Sequence, residues 1–359
     1  MFCNIYCRNG ANLAPLGARP LMACLTFGAV PMLTEILRSA TLAGAAALAV
    51  SAAQAADLVV YTSQPTEQME EVLALFNQAH PEIEVELFRS GTTEVLNKLQ
   101  AEIAAGNPQP DVLLIADSVA MEQLKAQGVL QAYAEADVSA LPEGQYDPEK
   151  FWFGTKLITT GIIYNTAAGV PAPTSWNDLL SDAARDQVIM PSPLYSGAAV
   201  VHVGTVTQQE GMGWGYYEAL MENGALAGKG NGGVRDAVAR GEKAYGIIID
   251  YMAFGQKNAG SPVDFVFPEE GVSAINQPVG ILATARNLDA AKTFVDFQLG
   301  AAASEQAVKQ NYFPIRKGVA APAGYPDPAT LTIMPLDAGA LMTQTDELKR
   351  RFADLSAAD

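Results

Sequence analysis

Hydroxyl and amide side chains gather in short loops at the ends of apolar runs, and such loops are suited to binding small anions. Thr62-Ser63-Gln64 follows the run LVVY, and Ser90-Gly91-Thr92-Thr93 follows the run IEVELF. Hydroxyl groups and the free amides of a helix start together form an anion site. Gly91 lets the main chain approach a ligand closely. Each hydroxyl also suits an ordinary helix cap, so capping is the alternative at both loops.

Two further loops place a carboxylate at the end of an apolar run. Asp117-Ser118 ends the run DVLLIAD, and Asp250-Tyr251 ends the run AYGIIID. A carboxylate there can accept a hydrogen bond from a ligand amine, or it can cap the helix that follows. We therefore treat both loops as candidate ligand contacts, with capping left open as the alternative for Asp117.

The middle of the chain offers two more candidates. Ser196-Gly197-Ala198 opens a predicted helix after PSPLY, with a simple turn as the alternative. Arg235 follows the glycine-rich segment KGNGG, which also starts a helix, and its guanidinium can pair with an anionic ligand. The alternative for Arg235 is a solvated surface charge.

These loops need a scaffold that brings strand ends together, and the sequence predicts one. Met69, Val72, Leu73 and Phe76 fall at i, i+3, i+4 and i+7, which is one face of a helix between two strands. His80-Pro81 ends that helix, because the residue before a proline is disfavoured in the α region. The same strand–helix alternation continues, and Leu336–Leu355 is predicted as a C-terminal helix. Parallel α/β sheets bind ligands at the carboxyl ends of their strands.

Length and charge limit the class of protein. A chain of 359 residues with 49% apolar residues is long enough for two domains. A net charge of −17 argues against a nucleic acid or an anionic membrane surface as partner. It does not exclude an anionic ligand, because the local field of backbone amides governs such binding.

The amino terminus is predicted to be a targeting segment, with residues 1–56 removed on export. Arg38 precedes the alanine-rich run 40–50, and Ala53-Gln54-Ala55 is a small-x-small cleavage site. Met32 is interpreted as the translation start, and residues 1–31 are interpreted as an upstream extension. All 3 cysteines precede the cleavage site. The mature chain is therefore expected to be a periplasmic protein without disulfides or thiolate metal sites.

The segment from Val59 to Ser118, which begins VVYTSQPTEQMEEVLALF, resembles the first lobe of periplasmic solute-binding proteins of ABC importers. It is most similar to the family 1 group that binds ferric iron, phosphonates or organophosphates. The loop at 196–198 resembles the family's P-x-x-S-G loop, and Asn311–Arg316 resembles its G-x-x-P segment. The resemblance extends from about Asp57 to the end of the chain.

This resemblance implies an α/β, two-lobed periplasmic-binding-protein fold of type II, whose hinge consists of two crossing strands. The β-prone run Phe151–Asn165 would leave the first lobe, and the extended run Gly271–Arg286 would return to it. We expect residues 57–160 plus 279–359 in lobe 1 and residues 161–278 in lobe 2. A ligand would close the cleft between the lobes.

The resemblance also implies the partners. We expect a monomer without a cofactor or resident metal, which delivers a small solute to an ABC transporter permease in the inner membrane. The loop hydroxyls and amides favour an organic phosphate or phosphonate-type anion. An exported hydrolase is less well supported, because no G-x-S-x-G, H-E-x-x-H or P-loop pattern is present.

A ferric-iron-binding protein of the same family is the main alternative. The resemblance implies two adjacent tyrosines after the strand that here reads GIIID, but this chain has Tyr251 followed by Met252. A ferric ion requires several hard anionic oxygens, and Tyr251 with Asp117 and Asp250 is a small set. His80 and His202 are interpreted as structural.

Overall fold

The computed structural model describes residues 57–327 and 330–357, which form two β-sheets flanked by helices. The predicted signal peptide, its cleavage site and the three cysteines lie outside the described residues. Within those residues, no helix combines the length and the apolar character needed to cross a bilayer.

The strands, in chain order, are β1 (Leu58–Thr62), β2 (Val85–Arg89), β3 (Val112–Leu114), β4 (Leu130–Gln131), β5 (Trp152–Gly154), β6 (Lys156–Asn165), β7 (Val188–Pro191), β8 (Leu226–Gly228), β9 (Tyr245–Ile249), β10 (Val263–Val266), β11 (Ser273–Ile275), β12 (Pro278–Leu282) and β13 (Phe313–Pro314).

The α-helices are α1 (Thr66–Ala79), α2 (Thr92–Ala104), α3 (Ser118–Ala126), α4 (Gly197–Thr207), α5 (Gly213–Glu222), α6 (Asn231–Ala239), α7 (Asp250–Asn258), α8 (Leu288–Leu299), α9 (Ala301–Lys309) and α10 (Ala338–Ser356), and two short 3-10 helices cover Trp176–Leu180 and Asp182–Ala184.

The first sheet has the strand order β2-β1-β3-β12-β4, and β5 pairs with β12. Strands β1, β2 and β3 are parallel, whereas β12 runs antiparallel to β3. Strands β1, β3 and β12 are buried along their whole length, as expected for apolar strands covered on both faces. The core beside them contains Phe76 from α1 and Phe294 from α8, whose rings meet edge to face with centroids 5.2 Å apart.

The second sheet has the strand order β10-β6-β9-β7-β8, with β11 and β13 also paired to β6. Strands β7, β8 and β9 are parallel, and β6 is antiparallel to β9. Its core holds the fully buried Trp176, whose indole N–H donates to the carbonyl of Gly271 at 2.9 Å. Helix α4 is buried along nearly its whole length and packs in the same core.

Two extended segments connect the sheets, as predicted. The first passes from β5 to β6 through Thr155, and the second passes from β11 to β12 through Asn276 and Gln277. The main-chain N–H and the hydroxyl of Thr155 both donate to the carbonyl of Gln277, at 3.1 and 2.8 Å. The two crossing segments are therefore hydrogen-bonded to each other where they leave one sheet for the other.

Helix α10 makes contacts with α4 and α5 beside the second sheet and with α3 beside the first. Its buried residues Leu341, Leu348 and Phe352 join the core that contains Trp176. The predicted lobe boundaries stay a prediction, but this last helix of the segment 279–359 lies against both halves of the molecule.

Candidate functional site

A cavity of about 390 Å³ lies where loops of the first sheet meet loops of the second. The starts of five helices contribute to its lining. These are Pro65 and Thr66 at α1, Gly91 and Thr92 at α2, Ser196 and Ala198 at α4, Gly230 to Gly233 at α6, and Ile249, Tyr251 and Met252 at α7.

This convergence has an electrostatic consequence. The first amides of a helix lack an intrahelical acceptor, and the helix dipole places a partial positive charge at the same end. Five such ends at one cavity favour an anion there, although the whole chain is strongly negative. The alternation of strand and helix produces this arrangement, because parallel strands deliver successive helix starts to the same edge.

Three cationic side chains line the same cavity, namely Arg89, Lys229 and Arg235. The Nε of Arg89 donates to the main-chain oxygen of Gln64 at 3.3 Å, and within the described residues its guanidinium has no carboxylate within 4.0 Å. Arg235 is paired with its neighbour Asp236 at 2.8 Å. Lys229 lies 3.5 Å from Glu94, with its ammonium 4.8 Å from the ring centroid of Tyr195. Among these three cations, Arg89 is therefore the one whose charge is not balanced by a nearby carboxylate.

A buried polar network supports the first-sheet side of the cavity. Lys156, at the start of β6, donates from Nζ to Oε1 of Gln64 at 2.8 Å and lies 4.7 Å from the ring centroid of Tyr312. Gln64 in turn donates to Gln310 at 3.2 Å. Burial lowers the pKa of the Lys156 ammonium to about 7. The network fixes the Gln64 side chain, which lines the cavity.

Tyr251 and Tyr312 form a stacked pair beside that network, with ring centroids 4.0 Å apart. Tyr251 lines the cavity, and Tyr312 is fully buried behind it. Burial raises the pKa of Tyr251 to about 12, although Arg89 and Arg235 act in the opposite direction. The phenol of Tyr251 is therefore a neutral hydrogen-bonding group at ordinary pH.

Eight of the residues predicted from the sequence line the cavity: Ser63, Gln64, Gly91, Thr92, Ser196, Ala198, Arg235 and Tyr251. Several of their polar groups also have internal partners. The hydroxyl of Ser63 accepts from the N–H of Ala116 at 2.9 Å. The hydroxyl of Ser196 accepts from Ala199 at 3.3 Å and from the Asn231 amide at 3.1 Å. Ser196 therefore caps α4 as well as lining the cavity, whereas Ser63 caps no helix, because α1 begins after Pro65 without a side-chain cap.

The structure places Thr62, Ser90, Thr93, Ser118 and Gly197 outside this lining. Thr62 is fully buried, and its hydroxyl donates to the carbonyl of Leu114 at 2.7 Å. The hydroxyl of Ser90 donates to Glu94 on the next helical turn. Ser118 lines a different cavity. The first two hydroxyls are held by the protein itself, so they do not turn towards a ligand.

Asp117 and Asp250 also lie outside the lining, as internal acceptors. Asp117 caps α3 by accepting from the N–H of Ala120 at 2.9 Å. Asp250 is fully buried and accepts from the hydroxyl of Thr159 at 2.7 Å and the N–H of Tyr251 at 2.7 Å. Burial raises the pKa of Asp117 to about 6 and that of Asp250 to about 7. Asp250 ties the start of α7 to β6.

The two sides of the cavity are in direct contact at its mouth. The N–H of Thr93 donates to the carbonyl of Tyr195 at 3.3 Å, and this main-chain hydrogen bond is called the closure contact below. A Cβ on Gly91 would lie 2.5 Å from the Tyr195 ring, and one on Gly197 would lie 2.6 Å from the carbonyl oxygen of Ala116. The structure is thus a closed form, in which glycines permit the close approach of the two sides.

The cavity is also lined by residues that are not among the site residues predicted from the sequence, namely Arg89, Lys229, Tyr195 and Asn231. The available signal was position, because Arg89 directly precedes Ser90 and Lys229 directly precedes the glycine-rich start of α6. Tyr195 likewise precedes Ser196. A basic or aromatic residue two or three positions before the first residue of a helix lies at the same strand end as the cap itself.

Within the described residues, no group of three or more histidine, cysteine, aspartate or glutamate side chains is placed to hold a metal ion. The residues of the cavity lining that could offer anionic oxygens are Glu67, Tyr195 and Tyr251. Its lining nevertheless consists mainly of helix starts, amides and cations, which match an anion better than a metal ion.

Comparison with known proteins gives matches over most of the chain. A model of the bacterial extracellular solute-binding proteins matches residues 62–305. A probable ABC transporter periplasmic-binding protein of Sinorhizobium fredii is 27% identical over 231 residues, which is 60% of this chain and 62% of that protein. Iron uptake protein A1 of Synechocystis is 26% identical over 281 residues, which is 73% of this chain and 77% of that protein.

Among solved structures, the periplasmic binding protein AfuA of Actinobacillus pleuropneumoniae, with fructose-6-phosphate bound, superposes with a TM-score of 0.77. The two chains are 25% identical, and the match covers 84% of this chain and 99% of AfuA. This likeness confirms the predicted two-lobed α/β fold.

Proposed function

We propose that this chain, which belongs to the bacterial extracellular solute-binding proteins, captures a small phosphorylated organic solute in its cleft for import by an ABC transporter. The observation that carries the proposal is the lining of the 390 Å³ cavity. Five helix starts and three cationic side chains meet there in a chain of net charge −17. Their shared chemistry is recognition of a compact anion.

The phosphoryl group is expected at the glycine-rich start of α6, between Arg89 and Arg235. Glycines let the main chain approach the phosphate oxygens, and guanidinium groups bind them through paired hydrogen bonds. The cavity volume is in the range of small-molecule sites and exceeds what a single phosphate needs. The polar hydroxyls of a sugar-like body would lie against the phenol of Tyr251 and the amides of Gln64 and Asn231, which also hydrogen-bond within the protein.

AfuA supports this choice of solute class, because it binds fructose-6-phosphate and shares both fold and a quarter of its residues with this chain. The partner would be the permease of an ABC transporter, as the name of the Sinorhizobium fredii relative suggests. We further propose that the mature protein acts as a periplasmic monomer and catalyses no reaction. Solute would shift the population from an open form towards the closed form described above.

The test is isothermal titration calorimetry of the purified protein with fructose-6-phosphate, with fructose and inorganic phosphate as the two fragments of that molecule. The protein should first be unfolded and refolded to remove bound solute. We expect fructose-6-phosphate to bind more tightly than either fragment. A ligand at about 100 times its dissociation constant should stabilise the folded form by roughly 2.7 kcal/mol, which a thermal-shift assay detects. Absence of binding by any phosphorylated sugar would contradict the proposal.

Ferric citrate in the same assay tests the alternative. A ferric site would require the phenolates of Tyr195 and Tyr251, the tyrosines that line the cavity. Iron binding with a visible tyrosinate charge-transfer band that disappears in Tyr251→Phe would replace the phosphate proposal. The pKa of Tyr251, raised to about 12 by burial, opposes formation of that phenolate.

A further inference from the structure

The ring of Tyr195 lies at the edge of the ligand cavity. Tyr195 lines the cavity and is only half-buried, so part of its surface faces solvent. The ammonium of Lys229, an exposed side chain, lies 4.8 Å from the centroid of the ring. The ring therefore borders both the bound-solute space and the solvent outside it.

Two glycines, one from each side of the cleft, pack against this ring. A Cβ added to Gly91, directly before α2 on the first-sheet side, would lie 2.5 Å from Cζ of Tyr195. A Cβ added to Gly230, directly before α6 on the second-sheet side, would lie 2.8 Å from Cδ1 of the same ring. Both separations are far shorter than a normal contact between carbon atoms. The ring therefore lies directly on the main chain of both glycines.

The backbone conformation does not explain why these two residues are glycines. Gly91 has φ −63° and ψ 151°, and Gly230 has φ −166° and ψ −178°. Both conformations are extended and are open to residues with side chains. The space that the ring of Tyr195 occupies does explain the two glycines, because it leaves no room for a Cβ at either position.

The two glycine contacts differ in when they can form. Tyr195 belongs to the second-sheet side, because its N–H donates to the carbonyl of Ser192 at 3.1 Å, and the N–H of Ser192 donates to Gly228 at the end of β8 at 2.8 Å. Gly230 follows the same strand, so it stays beside the ring in any position of the cleft. Gly91 lies on the first-sheet side. The contact between Tyr195 and Gly91 can therefore form only when the cleft is closed.

We propose that Tyr195 retains the bound solute, through the packing of its ring on Gly91 when the cleft closes. The ring covers the edge of the cavity, and the cleft reopens only after this contact breaks. Mutations at one interface act mostly on dissociation rates, so the effect should appear in the release of solute. The inference rests on the proposed function for the choice of solute, whereas the contact involves only residues of the protein.

The first test measures release of radiolabelled fructose-6-phosphate by rapid filtration, after a chase with excess unlabelled compound. Tyr195→Ala should raise the dissociation rate constant at least about tenfold and change the association rate constant less than about twofold. Tyr195→Phe keeps the ring and should restore most of the lost retention. Leu194→Ala is the matched control, because it shortens an exposed side chain in the same turn that does not line the cavity.

A double-mutant cycle tests the contact itself. Gly91→Ala adds a Cβ that displaces the ring, so it should also raise the dissociation rate constant by about tenfold. In the Tyr195→Ala background the ring is absent, and Gly91→Ala should raise the rate by less than about twofold further. Thermal unfolding checks that each variant is folded. Rate increases that multiply in the double variant, or release from Tyr195→Phe as fast as from Tyr195→Ala, would overturn the proposal.

The second test needs no solute, so it separates this inference from the proposed function. Residues 57–359 contain no cysteine. The Glu94 carboxylate and the Lys229 ammonium, on opposite sides of the cleft, lie 3.5 Å apart in the closed form. In a Glu94→Cys, Lys229→Cys background, o-phenylenedimaleimide should link the two sides whenever they close.

Without solute, Tyr195→Ala should slow this linking at least about threefold, because fewer molecules are closed at any moment, and Tyr195→Phe should restore it. Equal linking rates with and without the ring would refute the role of Tyr195. Failure of the wild type to bind fructose-6-phosphate, with linking that still depends on the ring, would refute only the proposed solute class.

Discussion

The two walls of the ligand cavity use their polar residues differently. On the first-sheet wall, the hydroxyls of Thr62 and Ser63 are held by Leu114 and Ala116, and Gln64 is fixed by the buried Lys156. On the second-sheet wall, four consecutive residues at the start of α6 line the cavity, next to Lys229 and Arg235. The first wall is held in place by internal hydrogen bonds and carries Arg89, which has no carboxylate partner among the described residues. The second wall exposes the main chain at the start of α6 and carries Lys229 and Arg235, each of which has a carboxylate partner.

This difference shows that a hydroxyl at a strand end carries little information about ligand contact. The same group that suits an anion also suits a cap, and the folded protein uses most of the hydroxyls on the first wall internally. The cations are more informative, because a charge at a cavity has fewer structural uses.

The largest expected effect concerns the support of the first wall. Burial lowers the pKa of Lys156 to about 7 in the folded wild-type protein. The Lys156→Met variant lacks this titrating group. The unfolded chain keeps the lysine proton up to about pH 10.4, so wild-type stability should rise between pH 7 and pH 10 by about 1.4 kcal/mol per unit from this group. The variant should lack that rise, which urea denaturation at several pH values measures.

The control for this prediction is Lys309→Met, at an exposed lysine on α9. It should keep the pH slope of the wild type. If the unfolding free energy of Lys156→Met depended on pH as steeply as that of the wild type, burial would not lower the pKa of Lys156. The first wall would then not rest on a buried amine.

The next effect compares the cations of the two walls. Arg89→Ala should weaken binding of fructose-6-phosphate by about 10- to 100-fold, as expected for loss of a charged hydrogen bond. Arg235→Ala should cost less, because Asp236 already pairs with that guanidinium at 2.8 Å. Arg185→Ala, at a surface ion pair with Asp182, is the control and should bind normally. A larger loss in Arg235→Ala than in Arg89→Ala would reverse the comparison.

A smaller effect is expected where the walls meet. The added Cβ of Gly197→Ala would lie 2.6 Å from the carbonyl oxygen of Ala116, and main chain cannot move aside easily. The two sides should therefore stay apart, and affinity for fructose-6-phosphate should fall by roughly tenfold, about 1.4 kcal/mol.

Gly215→Ala is the matched control for this substitution, because it adds a methyl group to a helical glycine with no atom within 4 Å. Its affinity should match the wild type, and both variants should unfold at temperatures near or above the wild type, since alanine favours helix. Unchanged affinity in Gly197→Ala would mean that the closed form tolerates separation of the walls.

The smallest effect belongs to Lys229, whose side chain is 74% exposed. Lys229→Ala should weaken binding of fructose-6-phosphate only about two- to fivefold, because water and salt screen an exposed charge. The loss should shrink further at high ionic strength, which calorimetry at two salt concentrations checks. A loss as large as that of Arg89→Ala would contradict this prediction, because it would show that Lys229 binds the anion as strongly as Arg89 does despite its exposure.

Much of the fold follows from local patterns in the sequence. The apolar face of Met69, Val72 and Phe76 and the proline after His80 predict α1, and the structure has it at Thr66–Ala79. The predicted helix Leu336–Leu355 is found at Ala338–Ser356. Both crossing segments lie in long extended runs of the sequence, Phe151–Asn165 and Gly271–Arg286. These features depend on residues close in sequence, which is why periodicity and helix-ending residues suffice to find them.

The site was harder to predict, because its composition depends on contacts far apart in sequence. The use of Ser63 is decided by Ala116, and that of Gln64 by Lys156 and Gln310. Asp250 is taken by Thr159 across the sheet. No local pattern shows such partners, so hydroxyls and carboxylates that serve the protein were predicted along with groups that face the cavity.

The closure contact has a consequence for how such a protein can change during evolution. The hydrogen bond from Thr93 to Tyr195 joins main-chain atoms on both sides, so every residue type except proline at position 93 retains it. Side chains in the cavity can therefore be replaced one by one without removing this means of bringing the walls together. Solute preference depends on side-chain atoms, whereas this closure contact depends on main-chain atoms. One scaffold can therefore change its solute by gradual substitution and still close.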